Sequence, residues 1–456
     1  MEQAIRQFLL RLLTGERALV FTRTVPSREE LCGKLEEIEA LGLYLHIPFC
    51  EQICPYCPYN KELYRESLAE RYVAAIKTEM DFYANLIGNK PVTSLYIGGG
   101  TPTTMLHHGL GEILGHMRDV FNLQCEIHME SHPNHLSADN LGRIEALGVQ
   151  HLSFGVEALF DRHLKFLGRP YNAEEVKEAV RRAVGTGFKC VNVDVMFALP
   201  GQTYREIEET GEELVKLGVD QIAAYPMFRF PYTPLGKACP KRNHVIGESL
   251  RRRRMLRILE NIFYQAGYER TSVWAFTRRA VPRYCSVTVP LYVGLGASGG
   301  SYLKDVFYLN TFGVAEYINA MENHGRAVAL SINLTERMQR AGWLYWRIYE
   351  TNFAKRAYRE RFGEEIDLAY GGHLRLLRRL GFLRDDGERI VLSDRGSFWL
   401  HAGEDILSID YISKLWGAAR GRRRFQVRER GRDVRPAGTD LSRHRGDRAR
   451  TGEVRR

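Results

Sequence analysis

From residue 41 onward, short apolar segments alternate with longer segments in which apolar residues recur every three or four positions. The first pattern is typical of strands buried on both faces, and the second is typical of amphipathic helices. Repeated βα units need a parallel sheet covered by helices, and about six repeats favour a barrel or partial barrel. The predicted strands are 43–47, 94–97, 126–130, 151–155, 190–197 and 221–225, and the predicted helices are 68–86, 106–121, 138–146, 173–186 and 204–217.

The pattern changes after residue 302. Helices are predicted at 314–323, 334–349 and 373–380, followed by two short strands around the turn at 385–387 and a further helix. This order resembles a winged-helix module. The sequence therefore predicts an α/β protein with four parts: an N-terminal helical extension at 1–40, a partial (β/α)6 barrel at 41–302, a small, mostly helical, winged-helix-like C-terminal domain at 303–416, and a tail at 417–456.

The net charge of +10 lies almost entirely in the last 40 residues. Residues 417–456 contain 14 Arg, no Lys and five acidic residues, which leaves the rest of the chain nearly neutral. We expect a disordered, solvated tail and a folded body whose function requires no nucleic acid. No uncharged apolar run is long enough to span a membrane, and the charged N-terminus lacks a signal-peptide core, so a cytoplasmic location is expected.

Three of the eight cysteines, Cys50, Cys54 and Cys57, lie on one loop directly after a predicted strand. Three thiolates can bind three irons of a [4Fe–4S] cluster and leave the fourth iron open to another ligand. A structural zinc site normally has four protein ligands, so zinc would need His46 or a distant residue. The spacing favours an iron–sulfur cluster over zinc and over three free thiols.

Further motifs follow in a fixed order. The sequence YLHIPFC ends at Cys50, and GGGTP at 98–102 follows the next predicted strand. After them come ESHPN at 130–134, SFGVE at 153–157, LGR at 167–169, NVDVM at 192–196, LPGQT at 199–203 and YVGLG at 292–296. Together these motifs resemble the radical S-adenosylmethionine (SAM) enzymes, and more narrowly the oxygen-independent coproporphyrinogen III oxidases and their haem-chaperone relatives. The resemblance covers about residues 41–410.

This resemblance implies a [4Fe–4S] cluster on the three cysteines and one or two molecules of SAM. In such a site, glycines let the backbone approach the methionine amino group of SAM. Carboxylates accept hydrogen bonds from its ribose hydroxyls or its ammonium group, and an arginine pairs with its carboxylate. By resemblance, the residues expected to bind SAM are Tyr44, Tyr56, Gly99, Gly100, Thr101, Glu130, Glu157, Arg169 and Asp194. Tyr225 and Arg229, on an aromatic loop after a strand, are the candidate substrate contacts, and no side chain is assigned a catalytic role.

The chain departs from the family pattern at three places. Tyr59 stands where the oxidases carry a further cysteine, and Glu157 replaces a glutamine. The segment 285–291 contains no histidine where the haem chaperones carry one. Each departure weakens the transfer of one particular function to this chain.

Three hypotheses remain. The first is an oxidoreductase resembling coproporphyrinogen III oxidase, which cleaves SAM reductively to a 5′-deoxyadenosyl radical that acts on a tetrapyrrole or another organic substrate. The second is a methyltransferase using two SAM molecules. The third is a non-catalytic haem chaperone, which the missing histidine disfavours. The expected partners are a small molecule such as a porphyrinogen or haem, and an electron donor such as flavodoxin or ferredoxin.

Overall fold

The computed structural model describes residues 19–238, 246–282 and 291–402. In chain order, the strands of the central sheet are β1 Leu41–Ile47, β4 Pro91–Gly99, β5 Asn122–Leu123, β6 Ile127–Ser131, β7 Val149–Glu157, β8 Cys190–Phe197, β9 Gln221–Pro226, β10 Tyr268–Arg270, β11 Ala275–Arg278, β12 Tyr292–Leu295, β13 Gly300–Leu303, β14 Val306–Asn310 and β15 Val328–Asn333. Two short strands, β2 Phe49–Cys50 and β3 Glu62–Leu63, pair beside it.

Seven of the described strands form a parallel core in the order β12-β1-β4-β6-β7-β8-β9. Antiparallel strands extend this core at both ends: β11 and β10 follow β9, while β13, β14 and β15 follow β12. The sheet stays open, with β10 and β15 as its outer strands among the residues described. The predicted α/β class with a partial barrel is confirmed. Since the core strands are parallel, their carboxyl ends meet at one edge of the sheet.

Helices with apolar stripes cover the sheet. Ala173–Val184 is an example: Asn172 caps its amino terminus through a capping box with Glu175, and Val176 and Val180 are buried. The other helices are Arg28–Glu36, Glu66–Ile87, Leu110–Val120, Ala138–Ala146, Asp161–Phe166, Tyr204–Lys216, Pro234–Ala238, Ile246–Gln265 and Val314–His324.

The C-terminal region has the order of a winged helix. Helix Glu336–Glu350 is followed by strand β16 Asn352–Ala354, helices Lys355–Phe362 and Ile366–Arg379, strands β17 Leu383–Asp385 and β18 Arg389–Leu392, and helical residues 394–402. The three strands form a separate sheet in the order β16-β18-β17. A small apolar core of its own includes Phe353, Tyr358, Ile366 and Ile390.

The sequence patterns missed several elements. Strands β14 and β15 lie where only helices were predicted, because a short apolar run does not distinguish a strand from a buried helix segment. Helix Ile246–Gln265 escaped prediction because four successive arginines, 251–254, interrupt its apolar pattern. The sheet also continues past residue 302, so the domain boundaries stay a prediction. Residues 1–18 of the predicted extension and the tail at 417–456 lie outside the described residues.

Candidate functional site

The cysteine loop connects β2 to β3 at the carboxyl end of β1. Cys50 is buried at the end of β2, and the backbone N–H of Cys57 donates to the carbonyl of Cys54 at 3.3 Å. The Thr101 hydroxyl donates to the Cys50 sulfur at 3.6 Å. Burial raises the pKa of the Cys50 thiol to about 12 and also raises that of Cys57.

Among the residues described, no three His, Cys, Asp or Glu side chains are gathered closely enough to hold a metal ion. The three thiols share the loop without converging on a common centre. Their chemistry nevertheless fits the predicted group, because three free cysteines within eight residues are the donor set of a [4Fe–4S] cluster with one open iron.

The glycines after β4 let that strand end pack against the cysteine segment. Gly99 has a φ of +123°, and a Cβ there would lie 2.7 Å from the His46 ring. A Cβ on Gly100 would lie 2.7 Å from the Pro48 carbonyl group. The backbone N–H of Gly100 donates to the Ile47 carbonyl at 2.8 Å. Glycine is therefore required here for close backbone approach.

His46 is committed to hydrogen bonds at both ring nitrogens. Its Nδ1 lies 2.7 Å from the Tyr44 hydroxyl, and its Nε2 lies 3.1 Å from the Asn60 carbonyl. Burial lowers the pKa of His46 to about 4, so the ring is neutral. These contacts argue against His46 as a zinc ligand, and they fix Tyr44, which stacks on Tyr96 with ring centroids 6.1 Å apart.

Glu130 lies at the end of β6, beside the glycines. Its carboxylate accepts a hydrogen bond from the Gly99 N–H at 3.1 Å and another from the Tyr96 hydroxyl. Burial raises the pKa of Glu130. The carboxylate therefore lies against the backbone predicted to meet the methionine amino group.

Arg169 and Glu157 form a buried ion pair. Both side chains are 6% exposed. Glu157 also accepts hydrogen bonds from the Tyr56 hydroxyl at 3.0 Å and the Tyr225 hydroxyl at 3.3 Å. Arg169 Nη1 contacts the Cys54 sulfur at 3.5 Å. In this arrangement the arginine predicted to bind a methionine carboxylate already has a carboxylate of the chain itself as partner.

Asp194, on β8, is a third carboxyl group facing the same space. It accepts a hydrogen bond from the Asn192 amide at 2.9 Å. Burial raises the pKa of Asp194 to about 8, and the nearby Glu157 and Glu130 add to the rise. Arg169 pairs with Glu157, and a cationic ligand would offset the cost of ionising the buried Glu130 and Asp194.

Tyr59, on the cysteine loop, is 60% exposed to solvent. Glu130, Cys57 and Asp194 are near enough to act electrostatically on its phenol, as is Tyr349 of the C-terminal region. The carboxyl groups at the ends of β6 and β8 therefore lie close to a solvent-exposed side chain.

The two candidate substrate residues have different surroundings. Tyr225 lies within the site, since its hydroxyl reaches Glu157 and its ring stacks on Phe228 with centroids 6.5 Å apart. Arg229 instead donates to Glu248 at 2.6 Å. The structure therefore brings Tyr225, but not the charge of Arg229, to the carboxylate cluster.

Sequence reasoning missed two residues that complete the site. Tyr96 binds Glu130 and Asn192 binds Asp194, and neither was singled out. The sequence feature that could have identified them is the two-residue period of a strand. Tyr96 precedes Gly98 by two positions, and Asn192 precedes Asp194 by two. Side chains at that spacing share the face on which the predicted residues lie.

Comparison with known proteins agrees with this geometry. Residues 44–214 match the sequence model of the radical SAM superfamily, so the chain contains a radical SAM domain. A radical SAM domain implies a [4Fe–4S] cluster and SAM, while the number of SAM molecules stays open.

Two kinds of curated relatives are similar to most of the chain. The heme chaperone HemW of Bacillus subtilis is 25% identical over 360 residues, which cover 77% of this chain and 95% of that protein. The oxygen-independent coproporphyrinogen III oxidase of Salmonella typhimurium is 26% identical over 315 residues, which cover 65% of this chain and 68% of that protein. The predicted resemblance is confirmed, and it includes both kinds of relative.

Among solved structures, coproporphyrinogen III oxidase (HemN) from Escherichia coli has the same fold. The TM-score is 0.71 at 22% identity, with 87% of this chain and 94% of that chain covered. Within the described residues, no helix is long and apolar enough to cross a membrane.

The close contact at Gly99 gives a first prediction. Gly99→Ala should lower the free energy of unfolding by ~1–3 kcal/mol through backbone strain, and should displace His46. Gly115→Ala is the matched control, because Gly115 lies in helix Leu110–Val120 with nothing within 4 Å of an added Cβ. That variant should gain ~0.5–1 kcal/mol. Urea denaturation measures the free energy of unfolding of both variants. Equal values for Gly99→Ala and Gly115→Ala would contradict the close contact between Gly99 and His46.

The raised pKa of Asp194 gives a second prediction. At a pH well below the ordinary pKa of an aspartate, Asp194 is protonated in both the folded and the unfolded state. As pH rises, the carboxyl group ionises first in the unfolded state. The free energy of unfolding therefore falls until the folded state also ionises, at about pH 8. The stability of the wild-type protein relative to Asp194→Asn should therefore fall as pH rises from about 5 to about 8. Unfolding in urea at both pH values measures the difference.

The control for this pH experiment is Asp139→Asn, which removes a carboxylate with a 70% exposed side chain. A wild-type protein that gains stability over Asp194→Asn with rising pH would contradict the assignment.

Proposed function

We propose that the chain is a radical SAM enzyme in which Cys50, Cys54 and Cys57 hold a [4Fe–4S] cluster at the carboxyl ends of the parallel strands. The observation that carries this proposal is the position of the cysteine loop. It lies at the carboxyl ends of parallel strands, next to Glu130, with Arg169 in contact with Cys54. This is the edge where α/β barrels place reactive ligands.

When bound, the cluster and SAM supply reductive cleavage of a carbon–sulfur bond and the resulting 5′-deoxyadenosyl radical. The side chains of this chain bind and orient. Glu130 and Asp194 would accept hydrogen bonds from the ammonium and ribose hydroxyl groups of SAM, and a cationic ligand would favour the ionised form of both. The backbone at the end of β4, from Gly99 onward, would lie against the amino acid end of the ligand.

For the substrate we propose a tetrapyrrole. Four aromatic side chains at the end of β9 and in the segment after it follow one another, with successive ring centroids 6.5, 6.5 and 5.8 Å apart: Tyr225, Phe228, Phe230 and Tyr232. Aromatic surfaces of this size suit a planar conjugated ligand. The names of both kinds of relative, heme chaperone and coproporphyrinogen III oxidase, support the same class. A flavodoxin or ferredoxin type of donor would supply the electron.

The main competing function is haem carriage without turnover. It is favoured by the similarity to HemW, which extends over 95% of that protein. It is disfavoured by the sequence at 285–291, which contains no histidine to bind haem iron. A methyltransferase using two SAM molecules is the other enzyme alternative, for which no contact with a second SAM molecule is assigned.

Cluster assembly tests the first part of the proposal. Anaerobic reconstitution with iron and sulfide should give about four irons per chain and a broad brown absorbance. Dithionite and SAM should then yield 5′-deoxyadenosine. Cys54→Ala should lose both signals, whereas Cys32→Ala, on helix Arg28–Glu36, should keep them. A colourless wild-type protein containing stoichiometric zinc would refute the proposal.

Incubation with tetrapyrroles tests the second part. Under anaerobic turnover conditions, coproporphyrinogen III or haem should be consumed together with SAM, and mass spectrometry should detect loss of carboxyl carbon, methylation or ring opening. Tyr225→Phe and Tyr232→Phe keep the aromatic rings and serve as controls for binding. Stoichiometric haem binding without any product would establish the carrier function instead.

A further inference from the structure

Arg169 connects the cysteine loop to the interior of the barrel. Its guanidinium lies between two aromatic rings, 5.7 Å from the Tyr56 centroid and 5.6 Å from the Tyr171 centroid. Nη1 contacts the Cys54 sulfur at 3.5 Å, and Nη2 donates to Glu157 and to the Gly155 carbonyl at 3.3 Å. The guanidinium therefore bridges a predicted cluster ligand and a carboxylate.

Glu157 is held in place by an unusual backbone. It has a φ of +66°, a conformation that glycine favours, and the register of β7 against β8 shifts between Gly155 and this residue. A side chain at Gly155 would collide with both Arg169 and Glu157. Such strain persists only where the surroundings over-determine it, and it concentrates at functional positions. Hydrogen bonds from Tyr56 and Tyr225 fix the carboxylate further.

The charges of Arg169 and Glu157 are expected to shift the reduction potential of the cluster in opposite directions. A cation that donates a hydrogen bond to a ligand sulfur favours the reduced cluster, whereas a nearby anion disfavours it. Both side chains are almost completely buried, so water screens neither charge well.

We infer that Glu157 sets the reduction potential of the cluster, by holding Arg169 against the Cys54 sulfur and offsetting its positive charge. Glu157 is a positioning residue in this role, since it touches the arginine and not the sulfur. The inference rests on the proposed function, in which Cys54 is a cluster ligand.

The experiment is a potentiometric titration of the full, reconstituted protein, with the reduced cluster followed by electron paramagnetic resonance in the absence of SAM. Glu157→Gln removes the charge and keeps an acceptor oxygen for Arg169 and Tyr56, while its amide NH2 group can donate to the Tyr225 hydroxyl in place of the second carboxylate oxygen. Its midpoint potential should become more positive, by an amount equivalent to about a tenfold change in the reduction constant, which is ~59 mV for one electron. Arg169→Met should shift the potential in the negative direction.

The matched control is Glu260→Gln. Glu260 is 2% exposed and pairs with Arg253 and Arg270, and none of these residues contacts the cysteine loop in the described part of the chain. Its potential should equal that of the wild-type protein. A shift of the same size in Glu260→Gln would overturn the inference, because the effect would then be general.

Two results separate the inference from the proposed function. If the wild-type protein takes up no cluster, the proposed function fails and the inference falls with it. If the wild-type protein holds the cluster and Glu157→Gln has an unchanged potential, only the inference fails. Loss of the cluster in Glu157→Gln but not in Glu260→Gln would also overturn the inference, since Glu157 would then serve only to build the site.

Discussion

The parallel direction of seven neighbouring strands is the constraint on which the site depends. Because these strands run the same way, β1, β4, β6, β7 and β8 all end at one edge, and their last residues meet there. The cysteine loop follows β1, the glycines end β4, and the three carboxyl groups come from β6, β7 and β8. Residues far apart in the sequence thus share one edge of the sheet without long loops to bring them together.

Charge balance at this edge of the sheet is a second constraint. Arg169 pairs with Glu157, while burial disfavours ionisation of Glu130 and Asp194 and so raises the pKa values of both. A ligand with positive charge would relieve this cost when it binds, so the carboxyl groups favour a sulfonium or ammonium group.

The sequence was sufficient for the features that depend on local pattern. Apolar segments located the six predicted parallel strands, and the spacing of Cys50, Cys54 and Cys57 located the loop. It was insufficient where a partner comes from elsewhere in the fold. The pairing of Arg169 with Glu157 depends on a bulge at the end of β7, and the pairing of Arg229 with Glu248 depends on a helix that the arginine-rich segment concealed. The same limit applies to β14 and β15, which are strands only because β12 and β13 offer an edge to extend.

The position of β1 has a consequence for how the protein is made. Its two neighbours are β4, about 50 residues later, and β12, about 250 residues later. A ribosome adding ~5–20 residues per second releases β4 within seconds of β1, but β12 emerges much later. Until then, one side of the strand that carries the cysteine loop lacks its partner. The parallel core that positions the cysteine loop is therefore complete only after about two thirds of the chain has been translated.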